Sequence, residues 1–268
     1  MSASQPLLVV RGLRKRFGGV VATDDVALDV ATGEIHALIG PNGAGKTSLI
    51  AQLAGSVAPD AGSIVFAGRD VTRLSQHARV SLGLARSFQI TRLFKGFTAL
   101  ENLALAVQAR SGSSLSFWRP AARESRLVDA ARELLADLGL EARADVPAEH
   151  LAHGEQRALE VGLALATRPR LLLLDEPMAG TGPEESQRMV ALIERTRARA
   201  TILLVEHDVD AVFRLADRVT VLVNGRVIAS GDPQSVRRDP EVVMAYLGEE
   251  VRDVEHLRPG QAAPEPEA

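Results

Sequence analysis

The chain contains no cysteine, which excludes disulfide staples, thiol nucleophiles and cysteine-bound zinc. It has no uninterrupted apolar run of the roughly 18 to 20 residues a membrane helix needs. Its start, Met1-Ser2-Ala3-Ser4-Gln5, lacks the positive flank of a signal peptide. The expectation is a soluble protein, carried to any membrane by a partner. A basic excess is missing too: 31 Lys and Arg against 34 Asp and Glu give a net charge of -3. No electrostatic footprint for nucleic acid follows from that balance, so no nucleic-acid partner is expected. What is present is 268 residues, 46% hydrophobic and 24% charged, enough for one or two globular domains with a sizeable core.

The most informative stretch is Gly40-Pro41-Asn42-Gly43-Ala44-Gly45-Lys46-Thr47, preceded by the apolar residues Ile35, Ala37, Leu38 and Ile39 and followed by helix-forming residues from Lys46 to Leu53. Strand, glycine loop and helix in that order fit the G-x-x-x-x-G-K-[ST] phosphate cradle. Glycines let backbone N-H groups turn into one concavity, and the helix behind adds the positive end of its dipole. Lys46 would sit among the β- and γ-phosphate oxygens, the Thr47 hydroxyl would bind Mg2+, and Ser48 extends the nucleotide-binding stretch into the first helical turn.

Around this loop the pattern is that of an α/β fold. Alternating residues from Leu7 to Val30 read as antiparallel strands, with Gly18-Gly19 and Asp24-Asp25 as turns. Phe17 falls at such a turn, where an aromatic either packs at an edge or stacks on a purine. Ser63 to Phe66 reads as a strand, Gly68-Arg69-Asp70 as a turn and Ser75 to Leu82 as a short helix. Arg86-Ser87-Phe88-Gln89 reads as an extended segment entering a loop, where Gln89 is by itself a solvated amide. From Leu103 to Glu149 the character is helical, and Leu127, Ala131, Leu134 and Leu138 form one apolar stripe. Its connector holds the only tryptophan, Trp118, within Phe117-Trp118-Arg119-Pro120. Leu171 to Leu174 and Thr201 to Val205 are short, apolar runs of the kind buried on both faces of a parallel sheet, with a helix from Glu184 to Arg199 between them. Asn224-Gly225 marks a hairpin between Val219–Val223 and Val227–Ala229. Two short helices around Val236 and Val243 precede a Pro/Glu/Ala-rich tail, residues 249–268, that reads as disordered.

In open α/β sheets ligands sit beyond the carboxyl ends of the parallel strands. That rule brings Asp175, Glu176 and His207 to the edge that carries the glycine loop. Asp175 suits a second metal anchor opposite Thr47, and Glu176 can polarise the attacking water. His207 reads as a γ-phosphate sensor that also orients Glu176. Gly154 opens a further helix whose inner stripe is Leu159, Leu163 and Ala166, and a helix N-terminus is a potential anion site.

Together these residues resemble the ATP-binding subunit of ABC transporters from about Leu7 to Gly248. Gly40 to Thr47 is similar to its phosphate loop, Gln89 to its Q-loop glutamine, Leu171 to Asp175 with Glu176 to its Walker B strand, and His207 to its switch histidine. Phe17 falls where the family places an adenine-stacking aromatic. The signature segment Leu-Ser-Gly-Gly-Gln is matched by Leu151-Ala152-His153-Gly154-Glu155. The resemblance implies a P-loop fold with a RecA-like parallel core, an N-terminal antiparallel subdomain and a helical subdomain inserted at about residues 95–165. It implies ATP and Mg2+ as cofactors, with Gln89 near the metal as well as the nucleotide. It also implies a head-to-tail homodimer or heterodimer, in which Leu151 to Glu155 of one subunit close over the phosphates held by the other.

Within the family, Gln89-Ile90-Thr91-Arg92-Leu93-Phe94, the Trp118 loop, His153 to Gln156 and Ala245-Tyr246-Leu247-Gly248 resemble the branched-chain and hydrophobic amino acid importers; urea and amide importers share much of this. Two transmembrane permeases, reached through the Gln89 region and the helical subdomain, and indirectly a solute-binding protein are the implied partners, at the cytoplasmic face of the membrane. Two departures from the pattern matter. Ala152 replaces the signature serine and Glu155 the glutamine, which predicts a weaker composite site. The D-loop, Ala179-Gly180-Thr181-Gly182, lacks the aspartate many relatives carry. A soluble ABC-type ATPase of DNA repair or translation is the competing reading, but the chain has neither cysteine zinc sites nor tandem ATPase domains. A regulatory module without turnover would have no use for Glu176 and His207.

Overall fold

The computed structural model describes residues 6–87, 93–110 and 122–245, with side chains from residue 126 onward in the last stretch. Gln89, the Trp118 loop, the ending after Ala245 and the tail 249–268 lie outside the described residues. Among those described, no helix is long and apolar enough to cross a membrane.

Strands β1 (Leu8–Phe17) and β2 (Val20–Val30) form an antiparallel hairpin around Gly18-Gly19. β3 (Ile35–Ile39) then leads through the glycine loop into α1 (Lys46–Ala54). β4 (Ala61–Phe66) and β5 (Arg69–Asp70) return to the hairpin, giving a four-stranded sheet of order β2-β1-β4-β5. After α2 (Gln76–Ser81), whose first turn is capped by the Ser75 hydroxyl, β6 (Leu84–Arg86) enters a second sheet. Helices α3 (Ala99–Arg110), α4 (Ala122–Leu138) and α5 (His153–Ala166) pack on one another before the chain re-enters that sheet through β7 (Leu171–Asp175). α6 (Pro183–Thr196), β8 (Thr201–Val205), α7 (Val209–Leu215), β9 (Arg218–Val223), β10 (Arg226–Gly231) and α8 (Pro233–Arg237) complete the order.

The second sheet runs β10-β9-β3-β8-β7-β6, parallel except where β10 pairs antiparallel with β9. β3, β7 and β8 are buried at every residue because both faces of the sheet are covered, which explains the uniform apolar runs. Side chains still alternate. Leu171, Leu173 and Leu203 join Leu49, Ile50 and Leu53 of α1 and the inner face of the first sheet. Leu172, Leu174 and Ile202 face the opposite way, toward Leu103, Leu159, Met189 and Ile193. α1 is thereby clamped between the two sheets, which fixes the loop in front of it.

Several sequence expectations need correction. Asp24-Asp25 is not a turn but lies within β2 at an irregularity of register, where Asp25 takes a φ of 60° opposite Gly12, also at 60°. Asp24 is held there by a distant cation, accepting both Nε and Nη2 of Arg226, while Asp25 lies 3.5 Å from Arg14 Nη2. Phe17 ends β1 rather than lying in the turn itself. Arg69 and Asp70 pair with Phe66 and Val65 as a short edge strand instead of forming a turn. The helix expected from Glu184 to Arg199 begins at Pro183, which suits a first helical position, and ends at Thr196.

Candidate functional site

The glycine loop needs its glycines for different reasons. Gly40, Gly43 and Gly45 have φ of 150°, 79° and 103°, values that L side chains rarely adopt. A Cβ at Gly40 would lie 2.0 Å from the Leu222 carbonyl oxygen, and one at Gly45 would lie 2.1 Å from that of Ala22. At Gly43 nothing lies within 4 Å, so the loop is open on that side. Gly45 caps α1 without a side-chain hydrogen bond, which leaves the positive end of the helix to an incoming anion. Lys46 is buried and spans the loop, with Nζ donating to the carbonyls of Gly40 at 2.5 Å and Pro41 at 3.0 Å.

Register aligns this loop with two other segments. Val205 at the end of β8 pairs with Leu38 on one side and with Asp175 on the other. The chain therefore leaves β3, β7 and β8 at one edge, through Gly40, Glu176 and Glu206 respectively. Asp175 is buried; its Oδ2 accepts from Arg86 Nη2 at 2.6 Å, while its Oδ1 is buried with no hydrogen-bond partner. A dry carboxylate oxygen without a donor has the chemistry of a ligand to a hard divalent cation. Among the described residues no group of three or more acidic, histidine or cysteine side chains could cage a metal alone.

Glu176 has a φ of 50°, held by its N-H on the Val205 carbonyl at 2.9 Å and by its own carbonyl accepting from Arg157 Nη2 at 3.4 Å. His207 is exposed over 61% of its side chain, with Nδ1 3.7 Å from Glu206 Oε2. It shares no hydrogen bond with Glu176 here, so the expected orientation of Glu176 by His207 is not made in this conformation. Phe17 is half exposed, with Lys15 Nζ 5.4 Å from its ring centre. Gln89 lies outside the described residues.

Leu151 to Glu155 enter α5, with Ala152 at the N-cap. Ala152 has no side-chain acceptor, so only half of a capping box forms: Glu155 Oε2 accepts the Ala152 N-H at 3.0 Å. Glu155 Oε1 accepts Arg143 Nε at 2.9 Å. Burial works against the Glu155 carboxylate, but these two bonds outweigh it and hold its pKa below the usual value. Pairing with Arg143 offsets the negative charge that the sequence leads one to expect beside the phosphates. Gly154 is a close-approach position, since a Cβ there would lie 3.0 Å from the Glu185 carboxyl carbon.

Three residues escaped the sequence reading. Glu206 is fully buried, accepting the N-H groups of Met178 at 2.8 Å and His207 at 3.2 Å; burial pushes its pKa up despite those bonds. The strand-end rule that singled out Asp175 reaches Glu206 equally. Arg86 and Arg157 carry no local signal, because each acts through a partner 89 or 19 residues away.

Residues 23–179 match the family model described as ABC transporter, and residues 226–252 match that of the branched-chain amino acid ATP-binding cassette transporter. The chain is 41% identical over 253 residues to the high-affinity branched-chain amino acid transport ATP-binding protein LivG of Salmonella typhimurium, covering 92% of this chain and 99% of that protein. BraF of Pseudomonas aeruginosa, named for the same transport role, is 40% identical over 253 residues, with the same coverage of both chains. A crystal structure of the ADP conformation of an ATP-binding cassette of an ABC transporter superposes with a TM-score of 0.80 at 30% identity, over 91% of this chain and 100% of that one. With one family model spanning 157 of 268 residues and these relatives matching nearly end to end, the chain belongs to the ABC transporter ATP-binding cassette family.

Proposed function

We propose that the protein is the ATP-hydrolysing subunit of an ABC importer for branched-chain or hydrophobic amino acids. The observation that carries the chemistry is the buried, donorless Asp175 Oδ1 at the sheet edge where the glycine loop and Glu176 also emerge. The LivG and BraF likeness and the C-terminal family match support the cargo class.

In this reading the loop Gly40 to Ser48 binds the triphosphate through backbone N-H groups, and Lys46 trades its carbonyl partners for phosphate oxygens. Phe17 stacks on the adenine. Thr47 and Asp175, with Gln89, would hold Mg2+. A bound Mg2+ would neutralise charge on the β- and γ-phosphate oxygens. Glu176 orients and polarises the attacking water, and His207 contacts the γ-phosphate. Leu151 to Glu155 of a second ATPase subunit, identical or different, complete the site. Residues 7–248 form the ATPase domain, with the helical subdomain at about 95–165. That subdomain and the Gln89 region meet two permeases at the cytoplasmic face, and closure on ATP followed by opening after hydrolysis drives alternating access.

Reconstitution with the two permeases, any second ATPase and the solute receptor tests this. Hydrolysis should rise when the receptor is loaded with leucine, isoleucine or valine. Stimulation only by urea or a short amide moves the cargo to the related importers. Hydrolysis indifferent to permeases and receptor contradicts the transport role.

A further inference from the structure

Arg86 ends β6, the edge strand of the parallel sheet. It pairs in register with Leu173, whose side chain lies on the α1 face. Asp175 is two residues further along β7 and shares that face, so Arg86 and Asp175 are diagonal neighbours across adjacent strands. Their ion pair is nearly dry, with side-chain exposures of 13% and 0%. The pairing uses only one carboxylate oxygen, Oδ2, leaving Oδ1 buried and without a donor. The Arg86 Nε is likewise buried without a partner.

We propose that Arg86 is a positioning residue for the metal step: by gripping Oδ2 it fixes the Asp175 carboxylate so that Oδ1 alone is offered to the divalent cation. The terminal torsion of an aspartate is soft, and an ungripped carboxylate would swing between orientations. Arg86 removes that freedom while its charge keeps the buried carboxylate tolerable before a cation arrives. Groups that hydrogen-bond metal-ligating carboxylates shift metal affinity by roughly 10- to 100-fold when removed. The inference rests on Asp175 being a metal ligand, as proposed above.

The test is ATP binding rather than turnover. In a Glu176→Gln background, displacement of a fluorescent ATP analogue is measured in EDTA and across a Mg2+ series for Arg86, Arg86→Lys and Arg86→Gln. The EDTA affinity should be the same in all three, which shows an intact phosphate loop. Arg86→Gln should need roughly 10- to 100-fold more Mg2+ to reach half of the Mg2+-dependent gain. Arg86→Lys, which keeps the charge but not the planar fork, should shift less. If Arg86→Gln does not fold, the Arg86→Lys comparison decides alone, and a several-fold rise in the Mg2+ requirement is expected. An unshifted or lower Mg2+ requirement, with Arg86 Mg2+-dependent, overturns the positioning role alone. ATP affinity that ignores Mg2+ with Arg86 in place overturns the metal role of Asp175 and the positioning role together.

Discussion

Arg157 on α5 donates through Nη2 to the main-chain carbonyl of Glu176, 3.4 Å away, while its Nη1 holds Glu160 at 3.2 Å. The helix that opens with Ala152 and Glu155 is thereby tied to the backbone of the residue proposed to activate water. Glu176 is a non-glycine residue in the left-handed region, a conformation costing of order 1–3 kcal/mol.

Removing Arg157 should therefore lower stability through its other partner, Glu160. Glu160 is 6% exposed and its Oε1 already lacks a donor, so Arg157→Ala strands a buried charge and should lower stability by about 3–5 kcal/mol. Arg157→Gln combined with Glu160→Gln should lose far less. Urea unfolding of the three variants checks this; a loss under about 1 kcal/mol for Arg157→Ala would show the pair to be uncoupled from the fold.

The buried Glu206 predicts a pH dependence. Its folded pKa lies above the usual 4.5, chiefly from burial, so the folded state binds its proton more tightly than the unfolded chain does. The sign follows: this contribution is fully stabilising below about pH 4.5 and is lost as pH rises through the folded value. Glu206→Gln removes that loss, so its stability relative to Glu206 should increase from pH 5 to pH 8. Asp24 beside Arg226 and Asp60 beside Lys15 have lowered values and act oppositely, losing their contribution as pH falls. Equal differences at the two pH values would contradict the assignment to Glu206.

The glycine loop separates strain from collision. Gly43→Ala meets no atom within 4 Å and should cost only the left-handed backbone, about 1 kcal/mol. Gly45→Ala carries the same strain and also drives a methyl against the Ala22 carbonyl at 2.1 Å. It should lose clearly more stability and most nucleotide affinity, as thermal unfolding and ATP titration would register.

Much of this was legible in residue order, for physical reasons that differ by element. The loop from Gly40 to Thr47 announces itself because its chemistry is local: glycines, a lysine and a hydroxyl at fixed spacing between a strand and a helix. Leu171 to Asp175 and Thr201 to Val205 were readable because two-sided burial removes alternation. Asp24-Asp25 misled because two acids look like a turn when the balancing Arg226 is 202 residues away. Arg86, Arg157 and Glu206 depend on pairings across strands and helices, which no window of sequence contains. The Glu155 charge looked unfavourable only while Arg143 was out of sight.

Ala152→Ser would complete the capping half that α5 lacks and place a hydroxyl where the family pattern has one. Stability should rise by about 1 kcal/mol. ATPase of the assembled complex should rise with it, through a hydrogen bond to the γ-phosphate held by the second ATPase subunit proposed above. An unchanged or lower rate removes the idea that the composite site is weakened here.

The most direct test of the whole account compares ATP binding and ATP turnover in the assembled complex for Glu176→Gln and Lys46→Ala. Glu176→Gln should bind ATP at least as tightly as the unaltered complex while turnover falls by two orders of magnitude or more, about the scale of losing a general base. Lys46→Ala should lose binding itself. Normal hydrolysis by Glu176→Gln, or undiminished ATP affinity in Lys46→Ala, would contradict the assignment of this sheet edge as the catalytic one.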